Sequence, residues 1–264
     1  MKDRFDVSGR TALLTGASRG IGRAIALALA EHGADVAINH ISAFDAEVGF
    51  PDAAQTLVDE ARSHGVRGFA IEGDLSVEGA AAELHDRAVA ALGRIDILVL
   101  NANIQIARDF AAVTADEIDL QCRMNYRVPI QLLQRALPPM AERGWGRVLA
   151  VGSVQQANPT IELAVYAGLK SAQYNLVMNL SRQYVKTGVT INNLAPGLID
   201  TDRNRFLRGS EDDWRATIER TSPMGRAGLP DDLAGAALLL CSDAGSFITG
   251  TNINVTGGGD LPWT

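Results

Sequence analysis

TALLTGASRGIG, residues 11–22, decides the fold. Its first half is apolar and reads as a short strand, 11–16. Its second half, TGASRGIG (15–22), is a glycine turn that runs straight into a helical pattern over 20–32. A strand that ends in such a turn and continues as a helix is a βα unit. Gly16, Gly20 and Gly22 permit a tight bend and a close backbone approach. The helix start after them offers free N–H groups and a positive dipole end, the features that hold a pyrophosphate. The spacing is G-x-x-x-G-x-G rather than the more familiar G-x-G-x-x-G. By itself the turn is also compatible with an ordinary glycine-rich βα connection.

The same alternation continues outward. Further strand patterns fall at 35–39, 67–73, 95–101, 147–153, 189–196 and 251–255. Amphipathic segments lie between them at 52–64, 77–92, 114–124, 127–143, 164–187 and 230–241. Strands alternating with helices predict right-handed crossovers and a parallel sheet covered on both faces. The strands are nearly continuous apolar runs, as doubly covered strands should be. The prediction is an α/β chain, residues 1–264 forming a single domain around a doubly wound parallel sheet of about seven strands. Two irregular stretches interrupt it: 40–51, after the second strand, and the polar segment 197–228, which reads as a lid over a substrate site.

Composition narrows the setting. The chain has 264 residues, 47% of them hydrophobic, and a net charge of −7. An acidic surface disfavours nucleic acid and anionic membrane as partners. No apolar run is long enough for a membrane helix, and the start, MKDRFDVSGR, lacks the apolar core of a leader peptide. Cys122 and Cys241 are far apart and sit in helical patterns, which predicts buried, unbridged thiols and a cytoplasmic protein. The four histidines show no ligand spacing, and no metal constellation is visible.

With a dinucleotide on the turn, Gly16, Ser18, Arg19, Gly20, Ile21 and Gly22 would line its phosphates. A site for NAD carries an acidic residue at the tip of the second strand, roughly 20 residues further on. Here that tip reads Ile38-Asn39-His40-Ile41, and Asp35 lies at the wrong end of the strand. Ser18 and Arg19, with Asn39 and His40, could instead hold a 2′-phosphate, which predicts NADP as the preferred cofactor with NAD as the lesser one. Asp74 and Leu75, after the third strand, stand where an adenine edge would be read. Asp74 serves equally well as a turn cap.

The chemistry centres on AVYAGLKS, 164–171. Tyr166 and Lys170 are four apart and share a helix face. Ser153, thirteen residues before the tyrosine, lies at the carboxyl end of the fifth strand, where ligands of open parallel sheets collect. A free phenol titrates near 10, and a neighbouring ammonium is expected to lower that value. Tyr166 would then exchange a proton with an alcohol or carbonyl oxygen, and Ser153 would hydrogen-bond the same oxygen.

Together these features resemble the short-chain dehydrogenase/reductase family, in its single-domain Rossmann-type branch, over nearly the whole chain. The residues that carry the resemblance are TGASRGIG, Asp74, LVLNAN (98–103), the asparagine of MNYRVP (124–129), Ser153, YAGLK (166–170) and APGLIDT (195–201). The resemblance implies a fourth catalytic residue, Asn125, holding a water that relays protons to Lys170. It also implies contacts from Asn101 and Ala102 to the cofactor, from Tyr166 and Lys170 to its ribose, and from Pro196, Gly197, Ile199 and Thr201 to the nicotinamide end.

Two residues depart from the family's N-N-A-G pattern. Leu100 takes the place of a polar residue that ties the sheet. Asn103 takes the place of a glycine, and asparagine is the cheapest substitute if the backbone needs positive φ. Gln105, Gln155 and Arg203 would face the substrate, predicting a polar small molecule such as a sugar, a polyol or a hydroxy- or keto-acid. Alternatives are a 3-oxoacyl-thioester (acyl-carrier-protein) reductase and a non-catalytic dinucleotide-binding regulator. The resemblance further implies a homotetramer assembled through the helices at 127–143 and 164–187. The apolar end of the tail, Leu261, Pro262 and Trp263, is expected to pack on something.

Overall fold

The computed structural model describes residues 3–262. Seven parallel strands form one sheet: β1 (Thr11–Leu14), β2 (Asp35–His40), β3 (Gly68–Glu72), β4 (Ile97–Leu100), β5 (Gly146–Val151), β6 (Val189–Pro196) and β7 (Asn252–Val255). Their order across the sheet is β3-β2-β1-β4-β5-β6-β7. The order reverses between β1 and β4, and a crevice for ligands opens at their carboxyl ends.

Alternate residues along each strand feed opposite layers. Leu14, Ile38, Val99 and Leu149 point into one core with α1 (Gly20–Glu31), α3 (Ala53–Ser63) and α9 (Asp231–Cys241). Leu13, Ala37, Leu98, Val148 and Ile191 point into the other, with α4 (Ala80–Leu92), α6 (Val128–Glu142) and α7 (Ala164–Tyr184). The central strands β1, β4 and β5 are buried along their whole length, as strands covered on both faces should be, whereas the edge strands β3 and β7 are partly exposed. A fully buried Leu or Ile contributes roughly 1.5–3 kcal/mol, and dozens are shared between the two layers.

The amino end of the sheet is closed differently. Arg147 is 2% exposed. It donates to the carbonyls of Ser242, Gly146 and Gly188 and to the Asp243 carboxylate. Trp145 stands between two guanidinium groups, with Arg10 3.8 Å and Arg147 4.3 Å from its ring centre. Burial lowers the Arg147 pKa, and the nearby Asp243 opposes that shift.

Both stretches read as irregular contain helix. The 40–51 segment holds α2 (Ser42–Glu47), and 197–228 holds a 3-10 turn at Asp202–Leu207 and α8 (Glu211–Thr221). A capping box at Ser210 and Asp213 starts α8, and Trp214 on it stacks with Arg208 at 5.5 Å. The remaining helix, α5 (Ala115–Cys122), is capped the same way by Thr114 and Glu117. Cys241 is buried, its thiol pushed up to about 12 by desolvation. Cys122, expected to be buried, is only half-buried at the end of α5, where the π-helical turn Arg123–Arg127 begins. Within the single chain Leu261 is 61% exposed, and Trp263 lies outside the described residues. No helix among the described residues is long and apolar enough to cross a membrane.

Candidate active site

The glycine turn is shaped by what surrounds it. Gly16 and Gly20 have φ of 57° and 55°, in the left-handed region that favours glycine. A Cβ on Gly22 would stand 2.6 Å from the Asn101 amide nitrogen and 2.7 Å from the Ala17 Cα, so no side chain fits. Asn101 donates from its amide to the carbonyls of Thr15 and Gly16. The Thr15 hydroxyl accepts from the backbone of both Asn101 and Ala102, at 3.0 Å each. These bonds bolt the turn to the end of β4. Asn39 acts from the other side: its carbonyl accepts from Gly16 N at 3.3 Å and its amide donates to the Gly73 carbonyl at 2.8 Å. Asn39 therefore shapes the turn, and its amide is already occupied. Arg19 caps α1 without a side-chain bond to the helix, so the first N–H groups beside Ile21 remain available to an anion. Such a cradle, with glycine required at 16 and 20 by the backbone and at 22 by the lack of room, fits a nicotinamide dinucleotide's pyrophosphate.

Leu75 is 2% exposed beside the end of β3, while Asp74 is exposed and accepts from Ser76 N at 2.8 Å. That bond is the turn cap, and it leaves the second carboxylate oxygen unengaged among the described residues. From the end of β6 the strip Pro196–Thr201 returns to the turn. A Cβ on Gly197 would meet the Thr256 backbone at 2.8 Å, Ile199 is buried, and the Thr201 methyl approaches Gly20.

Ser153, Tyr166, Lys170 and Asn125 are 8%, 4%, 2% and 1% exposed, and the first three converge beyond the end of β5. Lys170 donates to the Val151 carbonyl at 2.8 Å and to Gln173 Oε1 at 3.1 Å. Its Nζ lies 5.7 Å from the centre of the Tyr166 ring. Burial lowers Lys170 to about 7, with Arg203 adding to the shift. Burial raises the Tyr166 phenol, while Arg203 and a hydrogen bond with Ser153 pull it down. The expectation that Lys170 itself lowers the phenol is thus corrected: both groups are so desolvated that each favours its neutral form. Gln173, three residues beyond Lys170 on the same helix face, was legible in the sequence as a neighbour but not as the lysine's partner.

Asn125 sits in the π-helical turn. Its side chain is spent on Ile104, donating to the carbonyl at 2.7 Å and accepting from the amide at 3.2 Å. Four residues on comes Pro129, which has no N–H. The Asn125 backbone carbonyl therefore lacks the donor that an unbroken α-helix would give it. No alternative at 129 except proline would guarantee this, and sequence reading passed over it.

The two family departures fit differently: the Asn103 amide donates to the Asn101 carbonyl at 2.9 Å, while its Oδ1 is buried without a hydrogen-bond partner. Leu100 is buried and pairs in register with Ala150. No non-glycine residue among those described has positive φ, Asn103 included. Of the substrate candidates, Gln105 is half-buried and Gln155 Oε1 accepts from Thr160 N at 2.7 Å. Arg203 is exposed, donates to the Asn103 carbonyl at 3.3 Å, and has no carboxylate partner among the described residues.

Comparison with known proteins agrees with this geometry. The family model described as Enoyl-(Acyl carrier protein) reductase matches residues 16–259. The 7alpha-hydroxysteroid dehydrogenase of Escherichia coli (strain K12) is 34% identical over 257 residues, covering 97% of this chain and 96% of that protein. A solved 3-oxoacyl (acyl-carrier-protein) reductase from Agrobacterium tumefaciens C58, with NADP bound, superposes with a TM-score of 0.89 at 40% identity, covering 96% and 95% of the two chains. A gluconate 5-dehydrogenase from Burkholderia cenocepacia J2315, in complex with NADP and tartrate, superposes at 0.88 with 32% identity and 99% coverage of each. Fold, cradle and the serine, tyrosine and lysine beyond β5 thus have one common explanation: the chain belongs to the short-chain dehydrogenase/reductase family.

Proposed function

We propose that this NAD(P)-dependent oxidoreductase interconverts a CH–OH group and a carbonyl on a polar small molecule bearing an anionic group, of the hydroxy-acid, keto-acid or sugar-acid kind. The single observation that carries the reading is Arg203. Its charge reaches both Tyr166 and Lys170, and no carboxylate among the described residues neutralises it. A substrate carboxylate would complete that pair within reach of the phenol. Gln155 and Gln105 would meet substrate hydroxyls.

The dinucleotide, when bound, supplies or accepts the hydride. Tyr166 gives its proton to the carbonyl oxygen in reduction and takes it back in oxidation. Ser153 donates a hydrogen bond to that oxygen as charge develops. Lys170, with a value of about 7, is poised to pass a proton on. The Asn125 carbonyl, to which Pro129 cannot donate, would hold a water that passes protons to Lys170. NADP is the preferred cofactor in this reading, with Ser18, Arg19 and His40 near the 2′-phosphate. Residues 197–228 act as the lid of a chain that folds as one domain, and the assembly is a homotetramer in the cytoplasm.

The test follows the absorbance of reduced nicotinamide with NADP and NAD against hydroxy-acids, sugar acids, neutral sugars and steroids. Turnover of the acids above the neutral compounds is expected. Turnover of steroids with none of any acid or sugar would overturn the substrate reading, and a monomer by light scattering would overturn the assembly. A second reading, reduction of a 3-oxoacyl thioester, is favoured by the 40% identity to the Agrobacterium reductase. Thioester turnover exceeding that of free acids would select it.

A further inference from the structure

The end of the nucleotide cleft beyond β2 contains a carboxylate that no strand-tip pattern announces. Asp45, on α2, is 2% exposed. Its Oδ1 accepts from the Ser18 hydroxyl at 3.0 Å and from Arg19 Nε at 2.7 Å. Its Oδ2 is buried and has no hydrogen-bond partner. The nearest candidate, His40 Nδ1, lies 3.6 Å away and is itself buried and unpartnered. Arg19 is held on its other side by Asp202, and its guanidinium lies 5.2 Å and 5.8 Å from the ring centres of Phe44 and Phe50.

Two buried polar atoms without partners are expensive, and together they mark a place where a ligand group completes the bonding. Ser18 and Arg19 belong to the turn that receives the pyrophosphate, so the neighbouring ligand group is the adenosine ribose. Its 2′ position carries either a hydroxyl or a phosphate. A hydroxyl can donate to Asp45 Oδ2, as a strand-tip carboxylate would allow in an NAD site. A phosphate would be drawn to Arg19 but must compete there with Asp45 and Asp202. Among the described residues in direct contact there, one cation, Arg19, stands against two carboxylates, Asp45 and Asp202, with His40 beside them. A 2′-phosphate therefore meets attraction and repulsion from adjacent side chains.

We propose that Asp45 is a specificity-determining residue that offers the ribose 2′-hydroxyl of NAD(H) an acceptor and weakens the hold of Arg19 on the 2′-phosphate, so that the enzyme works with both dinucleotides and its NADP preference is shallow. This rests on the reading of the cleft as a dinucleotide site. It assigns to the 40–51 segment the function that the tip of β2 lacks. Asp45 comes from a helix rather than the strand, five residues past His40, and so it can take part in selection without altering the sheet.

The test is direct binding, by calorimetry or nicotinamide fluorescence, of NADPH and NADH to the wild type, Asp45→Asn and Arg19→Gln, with thermal melting of each. Wild type should bind both, with dissociation constants within about tenfold of each other, the factor carried by one modest charge interaction. Asp45→Asn should tighten NADPH and weaken NADH, moving their ratio by about tenfold or more. Arg19→Gln should move it the opposite way, and this variant serves if Asp45→Asn does not fold. An unchanged ratio in a folded Asp45→Asn, or equal weakening of both ligands by Arg19→Gln, overturns the proposal. Failure of the wild type to bind either dinucleotide would overturn it together with the reading of the cleft, whereas an unchanged ratio would leave that reading intact.

Discussion

The two ends of the cleft are built on different principles. At the chemical end Ser153, Tyr166, Lys170 and Asn125 stand on a strand end, one long helix and a π-helical turn. All are buried, and Lys170 and Asn125 are tied to backbone carbonyls. At the end proposed to receive the ribose, Arg19 pairs with Asp45 and Asp202, and His40 Nδ1 lies 3.6 Å from Asp45; these groups are carried by a turn, a strand tip, a six-residue helix and a 3-10 turn, with Phe44 51% exposed. Geometry that must be held within fractions of an ångström is fixed by regular backbone and core packing. The selectivity proposed for Asp45, which needs only a balance of charges, rests on short connections where one substitution changes the balance.

If that contrast holds, the largest effect should come from Tyr166→Phe. Its kcat should fall by about 10²–10⁴, the range for loss of a general acid–base group, while dinucleotide affinity stays within a factor of a few. A parallel loss of binding would show that the chemical end also carries the cofactor's affinity.

Next comes Lys170→Met, whose signature lies in pH. The wild-type lysine titrates at about 7 when folded, against about 10.4 in the unfolded chain. The penalty for burying its charge is present in full below about pH 7 and is relieved as pH rises from there towards the unfolded value, so folding stability should increase over that window. The methionine variant should lose activity, keep or raise its melting temperature, and show a flatter dependence of melting on pH above neutrality. An unchanged slope would mean that the lysine is solvated in solution.

Arg203→Gln should act on the substrate. KM for an anionic substrate should rise about tenfold to a hundredfold, the loss of one charge-assisted hydrogen bond of roughly 1.5–3 kcal/mol, with neutral substrates little affected. Because Arg203 pulls down both Tyr166 and Lys170, the pH profile of kcat/KM should also move upward. Smallest is Ser210→Ala, which removes the cap of α8: about 1 kcal/mol, or roughly 2–4 °C in Tm, if that helix unfolds with the rest. No change in Tm would show that residues 211–221 melt independently of the sheet.

The same contrast explains what the sequence made legible. The central strands, buried on both faces, are nearly continuous apolar runs, and the alternation with helices placed the partly exposed β3 and β7 as well, so all seven were located within a few residues. Glycines at 16, 20 and 22 and the triplet Ser153, Tyr166 and Lys170 announce themselves by spacing. α8 escaped because EDDWRATIERT has no apolar stripe, although Ser210 with Asp213 three residues later is a capping signal. Asp45 escaped because a loop has no period: a carboxylate five residues beyond a strand tip reaches the ribose end only if a short helix folds it back. The direction of the Tyr166 shift was misjudged because spacing reveals a neighbouring cation but not the depth at which both groups are buried.

The stack around Trp145 has a further, optical consequence. That indole is clamped between Arg10 and Arg147 at the amino end of β5, the far side of the sheet from the cleft. Trp214 lies on α8, in the segment that borders the cleft, against Arg208. With Trp263 replaced by phenylalanine, the protein would carry two emitters on opposite sides of the sheet. One should stay silent until the molecule melts, and the other should brighten or dim as the proposed lid closes over the nucleotide, a reporter with its own internal reference.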